Sequence, residues 1–258
     1  MSAYAPAILA TEGAVATISL NRPQALNAID IAMAQQLAAL ADEVANTDAV
    51  RVLIIRGEGR AFSAGGDIRL FADHLDSPAP VINTLLNQLH DFLLALGRLP
   101  QPVITSVHGL AAGAGFSLAF MGDLCIAADD ARFRPAYAAL GVTPDGGGTV
   151  GVAGAVGPRR ALQIFLGMEE LSALDAHALG LVTQRVPAGT LEAETMALAL
   201  RIAAMNPEVA AGTKRLIYQA ARNPVGVQLE AEREQLLRCM TTPEFRAAVS
   251  RFVERSDR

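Results

Sequence analysis

Ala61-Phe62-Ser63-Ala64-Gly65-Gly66-Asp67-Ile68 and His108-Gly109-Leu110-Ala111-Ala112-Gly113-Ala114-Gly115 are the two glycine-rich turns on which the reading of this chain rests. The first follows the apolar run Val52-Leu53-Ile54-Ile55 and the second follows Val103-Ile104-Thr105-Ser106-Val107, both of strand type. Each turn runs into residues able to start a helix. A strand that ends in small residues before a helix leaves backbone N–H groups free and lets another molecule approach them closely. Two such turns facing one cleft would offer two donors to one oxygen, which is what stabilising an oxyanion requires.

The 258 residues suit one large domain, or a core with an appendage. Hydrophobic residues make up 52% and charged residues 18%, enough to bury a sizeable core. The net charge of −5, with 21 Lys+Arg and no basic run, argues against nucleic acid as a partner. No apolar stretch reaches the ~18 residues needed to span a bilayer, which argues against a membrane role. Met1-Ser2-Ala3-Tyr4-Ala5-Pro6 has neither the basic start nor the apolar segment of a signal peptide. Cys125 and Cys239 lack CxxC spacing and read as reduced, packed thiols, so a cytoplasmic location is expected. His74, His90, His108 and His177 show no metal-ligand spacing, and no metal site is expected.

Along the chain, the alternation in Ala14-Val15-Ala16-Thr17-Ile18-Ser19-Leu20 predicts a strand that stops at Asn21-Arg22-Pro23. Asp30 caps a predicted helix over 31–47 with Met33, Leu37, Leu40 and Val44 on one face. A strand over 50–56 leads to the first turn. Residues 72–80, polar and holding Pro78 and Pro80, read as a mobile loop before a helix over 81–98. A strand over 102–107, the second turn, a short helix over 113–121 and a strand over 123–128 follow. Repeated strand–strand–helix units predict an α/β fold with a parallel, helix-covered sheet and ligands at the C-terminal strand ends. Beyond Pro187 the pattern is nearly all helix, with Asn206-Pro207-Glu208 and Thr242-Pro243-Glu244 reading as helix starts. The expected division is therefore a core over 1–187 and a helical region over 188–258. Leu229, Leu236, Leu237, Met240, Phe245, Val249 and Phe252 form apolar stripes that suit either a partner subunit or the chain's own core.

Five ordered motifs resemble the crotonase (enoyl-CoA hydratase/isomerase) superfamily. They are Leu20-Asn21-Arg22-Pro23 with Leu26-Asn27-Ala28, the two glycine turns, Leu140-Gly141-Val142-Thr143-Pro144-Asp145-Gly146-Gly147, and Leu179-Gly180-Leu181-Val182. The resemblance runs from about Ala14 to Arg255. It implies a spiral of β-β-α repeats, acyl-CoA substrates with no other cofactor, and homotrimers or dimers of trimers built through the C-terminal helices. It places the oxyanion donors on Gly66 and Ala114, the latter standing where most relatives have glycine. It also implies substrate contacts at Ala25, Leu26, Ala64, Gly65, Asp67 and Ile68, and further along at Leu110, Gly113, Ser117, Ala136 and Leu140.

The acids depart from the hydratase pattern. The positions of the two hydratase glutamates hold Ser117 and Ala136 here, and neither can activate water or protonate an α-carbon as that pair does. Asp145, in Thr143-Pro144-Asp145-Gly146, matches the carboxylate of several enoyl-CoA isomerases, and the local strings resemble most closely the isomerase of ring-epoxide phenylacetyl-CoA. The expected function is therefore a double-bond or ring-epoxide isomerase with Asp145 as proton shuttle. The alternatives are an enoyl-CoA hydratase of fatty-acid or aromatic catabolism and a non-catalytic acyl-CoA binding protein.

Blander readings stand beside these. Gly66 and Ala114 suit tight-turn packing, and Asp145 suits a helix cap. Asp67 reads as a cap after the first turn. Gly115-Phe116-Ser117-Leu118-Ala119 partly matches a nucleophile elbow, with His177 the one histidine downstream. Gly146-Gly147-Gly148-Thr149-Val150-Gly151 matches a dinucleotide fingerprint in letters but follows Pro144-Asp145 rather than a strand. Arg22, Lys214, Arg251 and Arg255 are either CoA-phosphate ligands or ordinary solvated charges. An aspartate set among Leu110, Phe116, Leu140 and Val142 is expected to have a raised pKa.

Overall fold

Val15–Leu20 forms a strand, as its alternation predicts, but a strand the sequence reading did not include precedes it. Ala7–Glu12 is β1, paired antiparallel with β2 (Val15–Leu20). The computed structural model describes residues 5–167 and 170–256. Asp30 accepts a hydrogen bond from Met33 N at 2.8 Å and starts α1 (Ile31–Ala45), which buries Met33, Leu37, Leu40 and Val44 along one face. After β3 (Val52–Gly57) come α2 (Ile68–Ala72) and α3 (Pro78–Arg98). The loop expected over 72–80 is thus shorter than predicted, with Pro78 and Pro80 inside the first turn of α3. Proline is accepted there because the N–H it lacks would have no intrahelical acceptor.

β4 (Val103–Val107), β5 (Leu110–Ala112) and α4 (Ala114–Ala119) carry the second glycine turn. β6 (Leu124–Ala128), β7 (Arg132–Arg134), α5 (Gly148–Val156) and α6 (Pro158–Gly167) repeat the pattern. β8 (Leu171–Ser172), α7 (Ala173–Ala178) and β9 (Gln184–Val186) close it. The main sheet runs β1-β2-β3-β4-β6-β9, parallel from β2 onward, and a small sheet runs β5-β7-β8. The repeats β4-β5-α4 and β6-β7-α5 each place one strand in the large sheet and the next in the small one before a helix returns. This is the crotonase spiral.

Both faces of the large sheet are covered, so its strands read as continuous apolar runs. On one side α1 and α3 pack Leu37, Leu89 and Phe92 against Ile18, Leu53 and Ile55. On the other, α8 (Leu191–Ala203) lays Leu191 and Ala199 on Val52, Ile54, Ile104 and Ile126. Each fully buried aliphatic side chain of this kind contributes about 1.5–3 kcal/mol.

Asn206 Oδ1 accepts from Glu208 N at 2.8 Å and starts α9 (Pro207–Ala220). α10 (Val225–Met240) and α11 (Pro243–Ser256) complete the chain. Lys214 clamps α9 to the core through Asp123 Oδ2 at 2.8 Å and the Gln101 carbonyl at 3.1 Å. The stripes of α10 and α11 do not turn back onto the core: Leu229, Leu236, Leu237 and Phe252 are all more than half exposed in the single chain. Among the described residues no helix is long and apolar enough to cross a membrane.

Candidate active site

The two glycine turns are laced together. Ser63 N donates to Leu110 O at 3.1 Å, and Ala112 N donates to Ser63 O at 2.8 Å, so the first turn extends the small sheet beside β5. Gly65 has φ +92°, and a Cβ there would stand 2.5 Å from Ala112 O and 3.0 Å from Ala114 N, so only glycine allows this approach. The N–H groups of Gly66 and Ala114 take no acceptor among the described residues, whereas Gly65, Asp67, Ala112 and Gly113 N–H groups all do.

Asn27 holds the first turn from below. Its buried amide nitrogen donates to Glu58 O and Ala61 O, both at 2.8 Å, and to Phe62 O at 3.2 Å. Its own carbonyl accepts Ser63 Oγ at 2.9 Å, and Ser63 Oγ in turn accepts Gly65 N at 3.1 Å. Leu26 and Asn27 both have left-handed backbone, a conformation that asparagine adopts more readily than most residues. Ala64 N donates to Leu26 O at 2.8 Å, which brings Ala25 and Leu26 to the first turn.

Asp67 caps α2 through Arg69 N at 3.1 Å and also pairs with Arg22 at 3.0 Å. Ile68, next to it, is exposed. Arg22 additionally binds Asp30 at 3.1 Å and donates to Ala28 O at 2.6 Å. Arg22 and Lys214 are thus internal braces rather than ordinary solvated charges. Arg251 is exposed, and the Arg255 side chain lies outside the described residues.

The third component comes from the segment between β7 and α5. Tyr137, buried, donates from its hydroxyl to Asp145 Oδ1 at 2.9 Å and lies 2.6 Å from Ser117 Oγ. Gly146 abuts both earlier residues: a Cβ on it would sit 3.4 Å from Ser117 Cβ and 3.7 Å from Ala114 Cβ. Asp145 therefore stands one residue from contact with the Ala114 donor. Its side chain caps no helix, because Gly147 occupies the cap of α5. Although part of the residue reaches solvent, burial pushes the Asp145 carboxyl above its ordinary range. The Tyr137 hydrogen bond and the charge of His90, on α3, pull it partly back.

The expected apolar surround differs in detail. Phe116 lies in the core against Phe120 and Phe165, whereas Leu140 and Val142 are more than half exposed. Leu110 and Gly113 line the second turn, half-buried, and Ala136 adopts a left-handed φ of +62° just before Tyr137. Ser117 bonds Tyr137, while His177 Nδ1 lies 2.9 Å from Val182 O, so the two do not form a nucleophile–base pair. The Gly146–Gly151 string serves packing: Gly148 lies against Ser117 and Gly151 against Phe120, with no room for a side chain. A cavity of about 840 Å³ lies elsewhere, between β1–β3 and α8. Gly66, Ala114 and Asp145 do not line it, and of the two arginines in its lining Arg56 is paired with Glu58 and Glu192.

Residues 10–258 match the family model described as enoyl-CoA hydratase/isomerase. The chain belongs to the enoyl-CoA hydratase/isomerase family. The chain is 37% identical over 244 residues to the 1,2-epoxyphenylacetyl-CoA isomerase of Escherichia coli K12, covering 94% of this chain and 93% of that one. An enoyl-CoA hydratase structure from Polaromonas sp. JS666 superposes with a TM-score of 0.90 at 30% identity, over 96% of this chain and 97% of that one. A structure from Thermobifida fusca YX, described as an enoyl-CoA hydratase in complex with acetoacetyl-CoA, superposes at 0.84 with 33% identity, over 92% and 96%. In this family member the spiral brings together the free N–H pair, Ser117, Tyr137 and Asp145, while the two hydratase acid positions hold Ser117 and Ala136. The sequence reading missed Tyr137, Asn27 and Ser63 as site residues. Tyr137 sits one position after Ala136, and a phenol gives no signal to a motif defined by carboxylates.

Proposed function

We propose that the protein is an enoyl-CoA isomerase that shifts a double bond through an enolate. The thioester oxygen accepts from Gly66 and Ala114 N–H. Each such donor is worth about 2.7–4 kcal/mol in the transition state. With the enolate held, the C2 proton becomes acidic enough for the Asp145 carboxylate to remove, and the same carboxyl returns it at C4 two carbons along. One carboxylate suffices because nothing is added to the substrate, and CoA is the substrate's own handle rather than a separate cofactor. A carboxyl pKa raised by burial makes Asp145 a stronger base than an ordinary aspartate.

The carrying observation is Asp145 itself, with its carboxyl oriented by Tyr137 and its neighbour Gly146 close to Ala114, while no acid occupies positions 117 and 136. The acetoacetyl-CoA complex of a relative supports an acyl-CoA substrate. The similarity to an epoxyphenylacetyl-CoA isomerase supports including aryl ring-epoxide thioesters among the substrates. The exposed stripes of α10 and α11 support self-association, and with the family resemblance a homotrimer or dimer of trimers, which sedimentation equilibrium measures. The deciding experiment assays 2-enoyl-, 3-enoyl- and ring-epoxide phenylacetyl-CoA with the wild type and Asp145→Asn. Isomerisation of 3-enoyl-CoA or the ring-epoxide thioester is expected, with kcat lowered roughly 10²–10⁴ in the variant. Hydration of 2-enoyl-CoA that survives in Asp145→Asn would instead make the protein a hydratase.

A further inference from the structure

We propose that Tyr137, anchored by Ser117, is a positioning residue for Asp145, holding its carboxylate in one orientation and in its ionised form. This rests on the reading of Asp145 as the proton shuttle. The hydrogen-bond directions follow from counting protons. An ionised carboxylate only accepts, so the single phenolic hydrogen of Tyr137 goes to Asp145 Oδ1 at 2.9 Å. Ser117 Oγ, 2.6 Å from the phenol oxygen, must then be the donor of that second bond. The resulting chain runs Ser117 O–H to Tyr137 O–H to Asp145, and a donor behind the phenol strengthens the bond in front of it.

The donor end of the chain is built into buried structure. Ser117 is fully buried and Tyr137 nearly so, while the Tyr137 ring packs near Phe165 with centroids 6.2 Å apart. The ring is thus held independently of its hydroxyl. The titratable groups bearing on Asp145 are Tyr137 and, from α3, His90. The packed elements α4 and α5 carry no charged side chain.

The test is a carboxyl titration in full-length protein labelled with ¹³C-aspartate, with Asp145 assigned by its absence from Asp145→Asn. In Tyr137→Phe the ring packing remains and the donor is lost, so the Asp145 midpoint should move to higher pH. Ser117→Ala should move it the same way by less. The acid limb of kcat/KM for 3-enoyl-CoA should follow, with kcat below the limb falling roughly tenfold and KM nearly unchanged. The shift should persist in a His90→Gln background, which removes the other side chain whose charge bears on Asp145. A midpoint equal in the wild type and both single variants overturns the proposal, even if their melting temperatures fall. If Tyr137→Phe does not fold, Ser117→Ala decides alone by the same criterion. If the wild type isomerises no thioester, the functional reading fails and the carboxyl titration still judges Tyr137.

Discussion

Arg22 and Asp67, 45 residues apart, form an ion pair at 3.0 Å that ties the loop after β2 to the start of α2, next to the Gly66 donor. Both side chains are largely buried, at 19% and 14% exposure, and Arg22 also spans to Asp30 and the Ala28 carbonyl. The pair therefore holds one wall of the proposed oxyanion site against the N-terminal part of the chain.

A double-mutant cycle of Arg22→Ala and Asp67→Ala should show a coupling energy of about 0.5–3 kcal/mol, larger than an exposed pair gives. Urea unfolding of the four proteins measures it. Asp67→Ala alone also loses the α2 cap, worth roughly 0.5–2 kcal/mol.

Asn27→Ala should be more damaging. It leaves the carbonyls of Glu58, Ala61 and Phe62 without the amide they share, and removes the acceptor for Arg22 N. Each unsatisfied buried group costs about 1–3 kcal/mol. A loss of several kcal/mol in urea unfolding is expected, with kcat reduced because the Gly65–Gly66 turn loses its support.

Lys214→Met separates bracing from ligand binding. It leaves Asp123 without its cation and the Gln101 carbonyl without its donor, at a cost of about 3 kcal/mol for a buried pair broken on one side. Acyl-CoA affinity, measured by calorimetry on folded protein, should stay unchanged. A large loss of affinity would instead return Lys214 to the phosphate-binding candidates.

Asp145→Asn should reveal what the raised carboxyl does to stability. The folded carboxyl holds its proton more tightly than the unfolded one, with its ordinary value of 3.8. Between 3.8 and the raised folded value the native state binds more protons, so the aspartate destabilises the wild type as pH rises through that window. Melting temperatures of the two proteins should coincide at low pH. Above the window the asparagine variant should be the more stable, while its turnover is lost.

Local chemistry made much of this legible from the chain. Asp30 before an apolar 3.6-residue stripe, and apolar runs ending at glycine turns, encode α1, β3 and β4 within a few residues. β1 escaped because Ala7–Glu12 is largely exposed along its length and depends on β2 for its hydrogen bonds. Pro78 and Pro80 pointed to a loop because proline signals a boundary without saying on which side of it the helix lies.

The sequence by itself pointed to the two glycine turns and, through its resemblance to the family, to the spiral and to Ser117 and Ala136 at the positions where hydratases of the family carry glutamates. Tertiary structure alone decided that Arg22 and Lys214 are braces, that the α10 and α11 stripes leave the core, and that Ser117, Tyr137 and Asp145 form one chain. Ser117 and Tyr137 are 20 residues apart and Tyr137 and Asp145 are 8 apart. They meet because Gly146 and Gly148 let the β7–α5 segment close against α4, a contact set by packing and not by any local pattern.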